Sequence, residues 1–167
     1  MPDIWIDVAL EVKPPKSGEI QFHKIRSLLY ALTASGIPIK WVSFDQFQSV
    51  DSMQILKQKN YVVGRQSVDI TTAPYDFVKN ALYQGRLSIP KHEKLEIELA
   101  SLEKDVKRNK VDHPVHSSKD ISDALAGVVY GLTLRKDVWV QHGIPLGSIP
   151  ASLIEAISKK NEYKPLD

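Results

Sequence analysis

The chain has 167 residues, 43% hydrophobic and 25% charged, with a formal net charge of +2. That length suits a domain with a real hydrophobic core, and the composition is that of an ordinary globular protein. The small net charge excludes a dedicated nucleic-acid coat protein, the absence of cysteine excludes disulfide frameworks and thiolate metal sites, and no apolar run approaches the length of a membrane span. The opening residues, Met1-Pro2-Asp3-Ile4-Trp5, lack the basic-then-apolar pattern of a secretory signal.

Residues 3–12 alternate strictly. Ile4, Ile6, Val8, Leu10 and Val12 share one face, and Trp5, Asp7, Ala9 and Glu11 the other, which predicts a strand with one buried side. Pro14-Pro15-Lys16-Ser17-Gly18 ends it as a loop. Phe22, Ile25, Leu28, Leu29 and Leu32 fall at helical spacing, so a helix is expected over 21–34, closed by Ser35-Gly36. Residues 37–44 read as a second strand, 46–49 as a turn, 50–59 as a short helix and 61–68 as a third strand. Pro74 suits the first turn of a helix running to about residue 84, which Gly85 stops. A short extended piece at 87–90 precedes a helix over 92–105 with Leu95, Leu99 and Leu102, then a basic stretch over 104–110. The last long helix is expected over 117–134, with Ile121, Ala124, Leu125 and Val128 on its buried side. Beyond Arg135 lie a short strand or anchored coil at Val138-Trp139-Val140, a loop region, a short helix over 151–158 and a tail. Alternating strands and helices predict an α/β domain with helices packed on a sheet.

Two acidic signals could carry chemistry. Asp45 ends an apolar strand, and strand ends in open α/β sheets are where ligands bind. A carboxylate there can hold a hard cation such as Mg²⁺, although by position alone a turn-forming aspartate is the commoner meaning. Asp120 and Asp123 stand at i and i+3 near a helix start and so share a face, with Gly127 close to it. They could be metal carboxylates; equally, Ser117 with Asp120 resembles a capping box, and acids suit a helix N-terminus. His113 and His116 read as polar loop residues, since no third ligand completes a zinc set. The basic residues Lys104, Lys107, Arg108, Lys110 and Lys119 could neutralise phosphates, against the commoner meaning of a solvated helix end. There is no phosphate-binding P-loop, no Gly-x-Ser-x-Gly elbow and no cysteine nucleophile, which leaves carboxylates with metal.

Taken together, longer strings are more specific. The run from Phe44-Asp45-Gln46-Phe47-Gln48-Ser49 to Ile55-Leu56 resembles the second acidic motif of phage terminase large subunits. Val111-Asp112-His113-Pro114, followed by Ser118-Lys119-Asp120-Ile121-Ser122-Asp123-Ala124-Leu125-Ala126-Gly127, resembles the third. Gly18-Glu19-Ile20 and Tyr83-Gln84-Gly85-Arg86-Leu87 fit the pattern between them, and the resemblance spans about residues 2–134.

The resemblance implies a ribonuclease H-like nuclease domain over 1–135, a mixed sheet flanked by helices, with 136–167 as a C-terminal extension. It implies an endonuclease that cuts concatemeric double-stranded viral DNA in the host cytoplasm with two Mg²⁺ or Mn²⁺ ions and no ATP site of its own. An upstream ATPase domain, a small terminase subunit and a portal are the implied partners. Asp45 matches the second acid and Asp120 the third, with Asp123 as an alternate or helper. The first acid is expected on a strand absent here; Asp7 lies on a different strand and on the face of Trp5, so it does not replace it. Activity of the chain by itself therefore stays open. The alternatives are a non-catalytic fragment that docks DNA or a portal, and another ribonuclease H-like nuclease such as a resolvase or integrase.

Overall fold

The computed structural model describes residues 3–45 and 49–134. Among these residues, strands and helices mix along the chain as β1 (Ile4–Trp5), α1 (Phe22–Ala34), β2 (Val42–Phe44), α2 (Val50–Gln58), β3 (Val63–Arg65), α3 (Ala73–Tyr83), β4 (Leu87–Ser88), α4 (Glu93–Ser101), β5 (Glu103–Asp105), β6 (Lys110–Asp112) and α5 (Asp120–Leu134). The fold is thus mixed α/β, and the strands pair as three two-stranded ladders. The elements expected after Arg135, and most of the turn expected at 46–49, lie outside the described residues. The chain divides into two compact units, one spanning Leu10–Ser67 and the other joining residues 3–9 to residues 68–134.

In the unit Leu10–Ser67, β2 and β3 run parallel, with Val42 opposite Val63, Ser43 opposite Gly64 and Phe44 opposite Arg65. A parallel pair needs a crossover, and α2 supplies it. Met53 and Leu56 of α2 are buried, and each such side chain contributes about 2 kcal/mol of hydrophobic burial. α1 packs beside α2. Arg26 of α1 donates to Asp51 at 3.2 Å and to Ser52 at 2.8 Å. Tyr61 and Thr33 share a hydroxyl hydrogen bond of 2.7 Å, and the Tyr61 ring lies 5.9 Å from that of Tyr30. Gly36, at φ +89°, ends α1 in the left-handed conformation that glycine adopts without a Cβ penalty.

The other unit has one continuous core. Ile4 of β1, Leu87 of β4, Tyr75, Val78 and Ala81 of α3, Leu95 of α4 and Leu125, Ala126 and Val129 of α5 meet in it. α5 is buried on most of its circumference, with both α3 and α4 packed against it. Phe77 and Tyr130 pack with their rings tilted at 47° and centroids 5.4 Å apart. Pro74 occupies the first turn of α3, and Gly85, at φ +67°, closes that helix as Arg86 N–H reaches back to Ala81 O at 2.9 Å.

Several expectations are corrected. The first strand is two residues long. Ile4 is buried and Ile6 partly so, but Val8, Leu10 and Val12 are 64, 65 and 48% exposed. Alternation predicts which face a side chain takes, whereas strand length depends on a neighbour to pair with, and β4 is in register with Ile4 and Trp5 and reaches no further than the Ile6 N–H, which donates to Ser88 O at 2.9 Å. The helix expected to reach residue 105 stops at Ser101, because Leu102 turns extended at ψ 138°. The basic stretch is not a solvated helix end: β5 and β6 form an antiparallel hairpin around it, with Asn109 at φ 51° in the turn, where asparagine tolerates that geometry. On α5, Ala124 and Val128 are exposed, and the buried side turns instead through Ser122, Ala126, Gly127 and Val129.

Candidate functional site

α5 begins at Asp120, three residues later than expected, so Ser117 does not stand at its N-cap. Ser117 Oγ donates to Pro114 O at 2.8 Å. The helix start is held from a different element. Glu98 of α4, 3% exposed, accepts the Ser122 backbone N–H at 2.8 Å and the Ser118 hydroxyl at 2.9 Å. Ser122 is the third residue of α5, one of the four whose N–H groups have no partner inside the helix. A carboxylate there also meets the positive end of the helix dipole.

The two acids of this turn have different surroundings. Asp120 is exposed and receives the Ser118 hydroxyl at 3.4 Å. Asp123 lies one turn in, where its Oδ1 accepts the Tyr75 hydroxyl and, at 3.1 Å, the Lys119 ammonium. Lys119 also pairs with Asp69, and its Nζ sits 6.0 Å from the centre of the Tyr75 ring. Burial pushes the Asp123 carboxyl above the ordinary carboxylate range, outweighing Tyr75 and Lys119, which pull it down. Burial, aided by Asp123, pushes the Tyr75 phenol well up. Burial pulls the Lys119 ammonium down, but the hydrogen bond to Asp69 and the charge of Asp123 more than offset this and leave it raised.

The five basic residues of interest are not alike. Lys119 is buried between two carboxylates, so its charge is engaged inside the fold. On the hairpin, Arg108 pairs with Asp105 at 3.1 Å and Lys110 with Asp112 at 2.8 Å, while Lys104 and Lys107 are exposed. The Lys110 hydrogen bond, helped by the His113 backbone N–H, holds Asp112 down at about 2. A depressed carboxylate stabilises the fold above its ordinary value, and that contribution is lost as pH falls through the folded value. Lys110→Ala is expected to return the Asp112 midpoint toward 3.8, read by NMR titration of its carboxyl carbon. Identical midpoints in parent and variant would remove Lys110 as the cause. His113 is half-buried with Nδ1 2.9 Å from Pro114 O, and His116 is exposed at φ 74°, both as loop residues.

In the unit Leu10–Ser67, Asp45 directly follows β2 and is exposed at the carboxyl end of the parallel ladder. Asp7, in the other unit, is exposed with Trp5. Among the described residues, no three His, Asp or Glu side chains gather closely enough to hold a metal ion. Nor is any helix among them long and apolar enough to cross a membrane.

Sequence reading missed Glu98, Tyr75 and Asp69 as partners of the acidic turn. Glu98 carried a usable signal: it stands between Leu95 and Leu99 on the apolar stripe of α4, where a carboxylate must be satisfied by something. Comparisons with protein-family models, with curated proteins and with solved structures find no match to this chain.

Proposed function

We propose that the chain is the nuclease part of a viral DNA-packaging terminase, a ribonuclease H-like endonuclease that uses Mg²⁺ or Mn²⁺ to cut double-stranded DNA. The observation that carries this reading is the placement of Asp45. It follows β2 at the carboxyl end of a parallel ladder, inside the string that resembles the second acidic motif of terminases. Asp120, exposed on the first turn of α5 inside the string resembling the third motif, supports it.

The donor chemistry suits the proposed ions. Asp45 in one unit and Asp120 in the other each carry hard oxygen ligands of the kind these cations prefer. When bound, divalent ions activate the attacking water and stabilise the leaving oxygen. The protein's own part is to hold those carboxylates in place. Glu98 fixes the start of α5 beneath Asp120, and Asp123, hydrogen-bonded to Tyr75 and Lys119, braces the same turn. Lys104 and Lys107 at the hairpin are the residues available for phosphates.

A plasmid-cleavage assay with Mn²⁺, comparing the chain with Asp45→Ala, tests the reading. Nicked and linear products from the parent, reduced to background in the variant, are expected. DNA binding without cleavage by the parent would favour a docking fragment instead, and equal cleavage by both would remove Asp45 from the mechanism.

A further inference from the structure

Gln66 directly follows β3, and its backbone N–H donates to Phe44 O at 2.8 Å. That bond carries the β2–β3 register one step past the Phe44–Arg65 pair, so Asp45 and Gln66 are the next two neighbours. Alternation sets them on one face of the ladder, together with Ser43 and Gly64. Ser43 and Gly64 keep that face small beside Asp45 and Gln66, and Trp41 shares it one step further back.

Gln66 is only 8% exposed, yet among the described residues its Nε2 is buried without a hydrogen-bond partner. Buried polar side chains are nearly always paired, and an orphan calls for a specific explanation. A leucine at this position would avoid the penalty. An amide N–H₂ only donates, so it cannot ligate a cation; what completes it is an acceptor oxygen. Its neighbour in register is the carboxylate proposed to hold a cation. A phosphodiester meets both, because its oxygens accept from an amide and approach a cation.

We infer that Gln66 is a substrate-binding residue, donating from Nε2 to a phosphate oxygen of a DNA strand held beside Asp45. The identity of the ligand rests on the nuclease reading, while the orphaned donor does not. Residues that serve a ligand at a cost to the fold give opposite signs in binding and stability when made apolar.

The test uses the full chain with a short fluorescein-labelled duplex in Ca²⁺, read by anisotropy, alongside the thermal midpoint of each protein. Gln66→Leu and Gln66→Met are expected to weaken binding about tenfold, the loss of one hydrogen bond to a charged oxygen, with thermal midpoints equal to or above the parent's. Binding at the parent's level in both variants would overturn the inference. So would a lowered midpoint in both, which would mark Gln66 as a structural contact. Absence of duplex binding by the parent overturns it too. Weakened binding in the Gln66 variants of a chain that binds DNA but never cleaves it would sustain the inference while the nuclease reading fails. Cleavage that depends on Asp45, with binding indifferent to Gln66, would do the reverse.

Discussion

Glu98→Ala is expected to lower the unfolding free energy by about 3 kcal/mol, one of the two largest losses the structure points to. Glu98 is 3% exposed and serves as the cap of a helix to which it does not belong. Hydrogen bonds to a charged group contribute about 1.5–3 kcal/mol each, and alanine removes the acceptor for both Ser122 N–H and Ser118 Oγ. Ser122 is fully buried, so water does not easily replace the lost carboxylate, and its N–H is left without a partner. Moving buried charge out of the fold refunds part of the desolvation cost, which keeps the total near 3 rather than higher. Glu98→Gln retains a carbonyl oxygen for Ser122 and is expected to lose only about 1 kcal/mol. Urea denaturation of the three proteins separates these cases. Equal losses for alanine and glutamine would mean that the charge itself, and not the capping acceptor, is what matters.

The parts of the fold that could be read from sequence are those decided by neighbours a few residues away. Ser35-Gly36, Pro74 and Gly85 mark helix ends because glycine admits and proline fixes particular backbone angles locally, and α1 and α3 stand within a residue or two of where those signals put them. The hairpin of β5 and β6 was hidden because its strands are only three residues long and rich in lysine and aspartate, so no apolar alternation announces them. In β1 the alternation was visible, but its paired length depends on β4, more than eighty positions away along the chain. The candidate site divides in the same way. Asp45 was legible because a strand end is a local feature. Asp123 was legible only as an acid at helical spacing, since its surroundings come from Tyr75, 48 positions away, and from Lys119, itself tied to Asp69 at a separation of 50. Lys119 thus read as a solvent-facing cation for want of any local sign that it was buried.

That buried cation sets the second large effect. Lys119→Met is expected to cost about 2–3 kcal/mol at neutral pH. Breaking a buried pair by removing one partner costs about 3–5 kcal/mol, because the other charge stays behind uncompensated. Here Asp69 is half-exposed and can be hydrated, which reduces the penalty, while Asp123 is three-quarters buried and keeps most of it. The pH dependence distinguishes this account from a simple packing defect. In the parent, burial already raises the Asp123 carboxyl, so its ionised form is disfavoured by the fold and protonation becomes stabilising as pH falls through the raised value. Without Lys119 the carboxyl rises further, and the deficit of the variant is largest above that value and shrinks on acidification. The raised Lys119 contributes in the opposite range, its stabilisation being present below its ordinary 10.5 and lost as pH rises through the folded value. The double variant Lys119→Met with Asp123→Asn removes the stranded charge and is expected to recover most of the loss at neutral pH while showing little change with acid. Denaturation midpoints of parent, single and double variants across the acidic range supply the comparison. A deficit in Lys119→Met that is independent of pH and unrelieved by Asp123→Asn would show that the lysine acts on the first turn of α5 by filling space and not by its charge.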